Sequence, residues 1–166
     1  MNAELVVMRI LHILPGVLWV GGASLMAWVI EPGLRAAGPA VQGPAMRSLA
    51  KPLTKFLVVA ATLTIIMGFG LIVRTPGRGF DQVFTNGWGV TIGVGMVLGI
   101  AAGGIGSTAG SELKKIEALS AQITGAPTPA QAAEMEGHQA VLRRNSRLAS
   151  VLGLIAVALM AAARYV

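Results

Sequence analysis

The sequence predicts an all-α integral membrane protein that forms a single bundle of four transmembrane helices. Three observations lead to this fold class. Of the 166 residues, 54% are hydrophobic, only 12% are charged, and the apolar residues fall into four long runs. A soluble domain carries about 25% charged residues, so this chain has too few polar side chains to cover a globule in water. We therefore expect residues 1–166 to form one membrane domain.

The first apolar run spans residues 5–30 and is interrupted only by Arg9 and His12. It is too long for a signal peptide and has no basic region in front of it, so we expect it to be retained. Proline removes a backbone hydrogen bond and clashes with the preceding helical turn. The sequence therefore predicts that the first helix ends at Glu31-Pro32-Gly33 and that residues 33–44 form a loop.

The second and third runs span residues 56–73 and 88–105. Each is long enough to cross a hydrocarbon layer about 30 Å thick, and a surface helix over residues 45–57 is expected to lead into the second span. The third run contains a ladder of Gly95, Gly99 and Gly103. In lipid, such a ladder lets helix backbones approach closely. It indicates packing within the bundle, a dimerisation face or room for a flat cofactor.

The fourth run spans residues 148–163, but its helix is expected to begin much earlier. Thr128 is a good capping residue, Pro129 suits the first helical position, and Gln131 completes a capping box. The sequence therefore predicts one long helix from about residue 129 to the C-terminus. Its first half would lie outside the membrane.

Basic residues indicate the orientation of the bundle. The segments 33–55 and 106–147 together carry nine lysines and arginines, whereas the remaining segments carry four, namely Arg9, Arg74, Arg78 and Arg164. Cytoplasmic loops carry the excess of basic residues in membrane proteins. We therefore expect both termini on the outer, periplasmic side of a bacterial cytoplasmic membrane, with the basic residues contacting membrane lipid rather than nucleic acid.

The composition also narrows the chemistry. The absence of cysteine excludes disulfides, thiolate metal sites, iron–sulfur clusters and covalently attached c-type heme. The seven acidic residues are expected in loops or at helix ends, which argues against a proton pump or an ion-coupled transporter. No catalytic constellation is visible, so the sequence leaves open whether the protein is an enzyme.

His12 is the strongest candidate for a functional residue, because an ionisable side chain is costly to bury in a membrane helix. His12, Gly16 and Trp19 share one helix face, and Arg9 lies one turn nearer the surface on that face. This pattern is typical of a heme b site. The imidazole would ligate iron, the glycine would admit the porphyrin, and the arginine would meet a propionate. The alternative is a histidine that hydrogen-bonds to a neighbouring helix.

The segment His12-Ile-Leu-Pro-Gly-Val-Leu-Trp-Val-Gly-Gly22 resembles the first-helix signature of the CopD-like group of bacterial membrane proteins, a superfamily that includes HemJ-type protoporphyrinogen oxidases. The C-terminal stretch from Arg143 to Tyr165 looks like the last helix of small members of that group. The resemblance implies a heme ligand at His12 for a HemJ-like protein, or copper handling for a CopD-like one. The chain departs from the HemJ pattern at residues 29–32, Val-Ile-Glu-Pro, where further basic and histidine residues are expected.

Depth along the helices suggests candidates for a second axial ligand. Met67 and Met160 are both expected on the same side of the midplane as His12, and methionine is a known heme ligand. A second His12 across a two-fold axis and a five-coordinate iron remain open. For each methionine, core packing is the alternative reading. His138 is expected about 15 Å short of the hydrocarbon, as a solvated helix residue.

The sequence therefore leads to three functional hypotheses. The first is a heme-binding or redox-associated membrane protein involved in electron transport, with His12 as axial ligand. The second is a cofactor-free structural subunit of a larger membrane complex, or a homo-oligomer. The third is a copper import or resistance protein, although two histidines and eight scattered methionines provide no cluster of soft ligands.

Overall fold

In a computed structural model that describes residues 2–166, the chain forms four long helices and, within that range, no β-strand. Helix α1 (Ala3–Leu25) continues through a π-helical turn (Met26–Ile30) into α2 (Glu31–Ala36). Helices α3 (Pro39–Arg74), α4 (Gly87–Ala121) and α5 (Pro129–Ala162) follow. The four helical stretches are long and apolar enough to cross a membrane. The prediction of an all-α, membrane-compatible four-helix bundle is confirmed.

The predicted end of the first helix at Pro32 and the loop over residues 33–44 are wrong. The helix passes through Pro32 to Ala36, and α3 begins at Pro39, so that only a short turn with Gly38 at φ +87° separates them. The π-helical turn explains how Pro32 is accommodated. There the N–H of Glu31 bonds to the carbonyl of Met26, five residues back. This wider turn relieves the clash that a proline makes in a regular helix.

The predicted start of the last helix is confirmed. The Thr128 hydroxyl accepts a hydrogen bond from the Gln131 N–H, the Gln131 side chain accepts one from the Thr128 N–H, and Pro129 occupies the first turn of α5. Helix α4 is capped in a related way, since the Asn86 side chain accepts from the Gly89 N–H. Both caps satisfy backbone donors that a helix leaves unpaired at its N-terminus.

The helices run antiparallel, so both chain termini lie at one end of the bundle. We call this the terminal end. There, Glu4 and Arg74 pair at 3.7 Å, and Gly87 lies beside the C-terminal Val166. At the opposite, far end, Arg35 on α2 pairs with Glu136 on α5 at 3.5 Å. Helices of 34 to 37 residues exceed the roughly 20 residues that span a bilayer, so they extend beyond the apolar layer.

Packing is closest within two helix pairs, α1 with α3 and α4 with α5, whereas contact between the pairs is sparser. Glycine allows the close approach. A Cβ added at Gly95 of α4 would lie only 3.4 Å from the Ala156 carbonyl oxygen of α5, and one added at Gly16 of α1 would lie 3.3 Å from Thr64 of α3. Small residues at such contacts let dispersion forces hold helices together in lipid.

A chain of polar groups joins α1 to α5. The Trp28 indole N–H donates to the Ser150 hydroxyl at 3.0 Å, Ser150 and Ser24 hydroxyls bond at 2.8 Å, and Ser24 donates to the Val20 carbonyl. Ser150 is only 1% exposed. The Ser24 hydroxyl donates to a carbonyl, so it must accept from Ser150, which in turn accepts from Trp28. Each donor in this series of hydrogen bonds is therefore paired.

The expectation that His138 is solvated, and that every carboxylate lies in a loop or at a helix end, is wrong. Glu112 lies inside α4, beyond the apolar run 88–105, and is 8% exposed. It accepts hydrogen bonds from His138 Nδ1 and from Lys115 Nζ, both at 2.7 Å. The cause is the length of α4 and α5, which continue side by side beyond their apolar runs and bury these groups against one another.

The Glu112 contacts predict a pH dependence of stability. The hydrogen bond from Lys115, followed by that from His138, holds the pKa of Glu112 below its ordinary value. A carboxylate with a lowered pKa stabilises the fold above its unfolded pKa, about 4.3, and loses that contribution as the pH falls through the folded value. We expect amides of residues 106–121 and 129–147 to lose protection at acid pH, measured as the exchange rate relative to the intrinsic rate at the same pH. In Glu112→Gln, this acid-induced loss of protection should be smaller. An equal loss in both proteins would contradict the assignment.

Candidate functional site

A cavity with a volume of about 810 Å³ lies in the terminal half of the bundle. All four long helices line it, and its walls are mainly aliphatic and aromatic side chains with several glycines. Ligand sites in proteins are commonly apolar clefts of about 300–1,000 Å³ with a few polar groups. We call this the terminal cavity, and it is the best candidate for a binding site.

His12 lines the terminal cavity and is held by helix α3. Its Nδ1 lies 2.7 Å from the Thr64 carbonyl oxygen. A carbonyl only accepts, so Nδ1 carries the hydrogen. In the neutral ring, Nε2 then keeps a free lone pair, and it has no hydrogen-bond partner among residues 2–166. The neighbouring-helix contact expected as the alternative for His12 therefore exists, but it occupies one ring nitrogen and leaves the other able to bind a ligand.

Gly68 makes the contact of His12 with α3 possible. A Cβ added at this position would lie 2.8 Å from His12 Cε1 and 3.0 Å from Nδ1. Real side chains essentially never approach so closely, so the imidazole rests directly on the α3 backbone because residue 68 has no side chain. Thr64 sits one turn earlier, and its own hydroxyl donates to the Ala60 carbonyl. The ring orientation is thus set by backbone geometry.

The acidic and strongly basic side chains that line the terminal cavity, among residues 2–166, are all arginines. Arg9, Arg78 and Arg164 line it together with His12 and Thr64, whereas no carboxylate does so in the part of the chain that the structure describes. The Arg78 guanidinium lies 5.1 Å from the Trp88 ring centroid, and that of Arg164 lies 5.2 Å from Tyr165. Arg74 differs, since it pairs with Glu4 and does not line the cavity. The cavity therefore suits an anionic group at its outer rim.

The structure brings together most of the residues that the sequence singled out. Arg9, His12, Gly16, Trp19 and Met160 all line the terminal cavity. Met67 does not, although its neighbours on α3 do, because it lies on another side of that helix. Of the two candidate methionines, only Met160 shares a cavity with His12.

The glycine ladder of α4 faces the interior of the bundle. Gly95 contacts α5 at Ala156 and Met160, and Gly103 faces the Trp19 indole, whose Cζ2 would lie 3.6 Å from an added Cβ. Gly99 lines the terminal cavity. The sequence left three roles open for this ladder. The geometry supports packing within the bundle and room for a cofactor, but it does not support a dimerisation face.

One part of the site was missed from the sequence, namely the contact of His12 with Thr64 and Gly68. Thr64 and Gly68 act through a backbone carbonyl and through a missing side chain, and neither leaves a recognisable motif. Their spacing of four residues on the second span, opposite a buried histidine, is the signal that could have pointed to them. The sequence did place Arg9, Arg74, Arg78 and Arg164 on one side of the bundle, and three of them line the cavity whereas Arg74 does not.

Fold and site together define an all-α bundle, compatible with a multi-pass membrane protein, that encloses a large apolar cavity carrying a histidine and a rim of arginines. In comparisons with known proteins, the chain matches no family model, no curated protein and no solved structure. The resemblance to CopD-like and HemJ-like proteins stays a prediction.

The contact between His12 and Gly68 predicts the effect of a single methyl group. Gly68→Ala would push the imidazole off α3 and is expected to destabilise the protein by about 1–3 kcal/mol, the usual cost of overpacking. Gly104→Ala is the matched control, because an added Cβ there meets nothing within 4 Å. Thermal unfolding in detergent should show a lower Tm for Gly68→Ala only. Equal Tm values for the two variants would contradict the packing described here.

Proposed function

We propose that this chain is a heme b-binding protein of the bacterial cytoplasmic membrane, with His12 as an axial ligand. The observation that carries the proposal is the state of the His12 ring. Its Nδ1–H donates to the Thr64 carbonyl, which leaves Nε2 as the free donor atom beside the terminal cavity. Histidines that bind metals characteristically donate their second ring N–H to a carbonyl or carboxylate, which fixes the ring orientation.

The shape of the terminal cavity supports a flat, mainly apolar ligand. The cavity lies between the two helix pairs. Glycines on all four long helices keep its walls thin, namely Gly16 on α1, Gly68 on α3, Gly99 on α4 and Gly153 on α5. Trp19 and Trp88 contribute aromatic faces. Its volume of about 810 Å³ is at the upper end of the range for cofactor sites.

The charges at the cavity support an anionic ligand. Heme b carries two propionates, and arginines bind carboxylates with paired, charge-assisted hydrogen bonds. Arg9, Arg78 and Arg164 are available for this role because no acidic residue among residues 2–166 competes for them inside the cavity. Met160 is the candidate for a sixth ligand, with a partner's His12 or an open position as the alternatives.

Bound heme would supply a one-electron carrier to the bundle, and the role of the chain would be to hold and orient it and to exclude water from it. This is consistent with a component of an electron-transport system. The orientation that places the terminal cavity on the periplasmic side follows from the distribution of basic residues and belongs to the proposal.

The other hypotheses make different demands. Copper handling requires several ligands close together, and residues 2–166 contain no group of three or more histidine, cysteine or acidic side chains that could hold a metal ion. A cofactor-free structural subunit, or a homo-oligomer, requires only the fold. An intact bundle that binds no heme would therefore favour the structural role.

The first test is the spectrum of the purified protein. In detergent, supplied with heme, the wild type should give reduced-minus-oxidised b-type bands, and His12→Ala should lose them. His138→Gln is the matched control, because His138 bonds to Glu112 at the far end of the bundle. Added imidazole should restore bands to His12→Ala by replacing the missing ligand. Wild type without bands, or His12→Ala with unchanged bands, would rule out the proposal.

The second test addresses the arginines. Arg78→Gln and Arg164→Gln should each speed the transfer of heme to an apoprotein acceptor about tenfold, since a hydrogen bond to a charged group contributes about 1.5–3 kcal/mol and partial exposure reduces this. Arg74→Gln is the control, since this side chain pairs with Glu4 outside the cavity. Identical transfer rates for all three variants would show that the cavity arginines do not hold propionates.

A further inference from the structure

A second cavity lies in the far half of the bundle and has a volume of about 260 Å³. We call it the far cavity. It shares a wall with the terminal cavity, formed by Trp19, Val20, Ile65 and Gly153. Its remaining walls are apolar except for Arg143, Glu31 and a few hydroxyl groups. A thin layer of side chains thus separates the two cavities. The site proposed in the terminal cavity does not use the far cavity.

Arg143 lines the far cavity and carries an unused hydrogen-bond donor. Its Nη2 donates to Glu136 at 2.7 Å, whereas its Nη1 is buried and has no hydrogen-bond partner in the described chain. The side chain is 17% exposed. Leaving a buried donor unpaired is unfavourable, more so for a charged group. A ligand with an accepting oxygen would remove this penalty.

The charges around Arg143 select a neutral ligand. Arg143 and Arg35 both pair with Glu136, and Arg35 also lies 3.9 Å from Glu31. The four side chains alternate in sign and their formal charges cancel. Glu31 lines the same cavity and is only 16% exposed. An anionic head group would meet this carboxylate, whereas a carbonyl oxygen accepts a hydrogen bond without adding charge.

The far cavity is reachable from the bilayer. Val58 and Thr62 on α3 and Ser107 on α4 line it and are also exposed on the bundle surface. Helices α3 and α4 make few contacts with each other, so the cavity opens sideways between them. Inside, the Trp19 indole faces Gly103 and presents an aromatic wall. Planar rings stack favourably against such a wall in an offset arrangement.

We propose that the far cavity binds a lipid-soluble quinone. The Arg143 guanidinium would turn its enclosed, unpaired Nη1 towards one carbonyl oxygen, and the tail would leave between α3 and α4. The ligand class follows from a charged donor without a partner, a neutral surrounding network, an aromatic wall and a lateral opening. The proposal concerns binding alone and does not rest on heme in the terminal cavity.

The test measures quinone binding to the full chain in nanodiscs. The probe is decylubiquinone, extracted and quantified after titration, with protein-free nanodiscs as the background for simple partitioning. We expect saturable binding of about one quinone per chain. Decanoate, an amphiphile with a carboxylate head, should not compete. The proposal would be overturned if quinone binding did not saturate above the protein-free background. It would also be overturned if decanoate displaced the quinone as effectively as a second quinone does.

Two variants locate the site. Arg143→Gln should weaken binding at least tenfold, and Arg144→Gln is its control, since Arg144 is exposed and bonds only to Asn145 among the described residues. Ala61→Phe fills the far cavity without changing any charge and should abolish binding, whereas Ala158→Phe, on the exposed side of α5, should not. If Arg143→Gln fails to fold, the comparison of Ala61→Phe with Ala158→Phe is sufficient to test the location of the site. Unchanged binding in Ala61→Phe would place the quinone elsewhere and overturn the proposal.

His12→Ala separates this proposal from the heme proposal. It should retain quinone binding whether or not the wild type binds heme, because His12 lines only the terminal cavity. Loss of quinone binding in His12→Ala would contradict the independence of the two sites and overturn the assignment to the far cavity.

Discussion

The close approach of helix backbones at positions without side chains governs this structure. Lipid removes the hydrophobic drive that packs helices in water, so association depends on dispersion contacts and on hydrogen bonds between helices. Gly16 meets Thr64 between α1 and α3, and Gly95 meets Ala156 between α4 and α5. Each pair is therefore tight. The two pairs meet each other more loosely, and the space left between them becomes the two cavities.

The same constraint determines how His12 is presented. A glycine at residue 68 lets the imidazole lie against the α3 backbone, and the Thr64 carbonyl takes its Nδ1 hydrogen. A histidine in an apolar helix is costly unless its polar atoms are used, and His12 is half-buried. Here one nitrogen is satisfied by the fold, whereas the other faces a large cavity. A packing feature and a candidate ligand are thus parts of one arrangement.

The two cavities differ in charge because different helix ends meet at each. At the terminal end, arginines gather from α1, from the segment after α3 and from the turn after α5. No carboxylate among residues 2–166 lines the cavity with them. At the far end, helices that extend past the apolar layer bring glutamates and arginines into alternating contact. The terminal cavity consequently favours an anionic ligand and the far cavity a neutral one.

The sequence by itself determined the four apolar helices, the capped start of α5 at Pro129 and the shared face of His12, Gly16 and Trp19, because composition, capping chemistry and helical period are local properties. It misjudged Pro32 because a single π-helical turn absorbs the proline, and His138 because its partner Glu112 lies 26 residues away in the chain. Only the tertiary structure decided that Met160 and not Met67 lines the cavity of His12, that Thr64 holds the ring, and that Arg143 keeps an unpaired donor. These outcomes depend on how helices rotate and approach one another, which is set by contacts between distant residues.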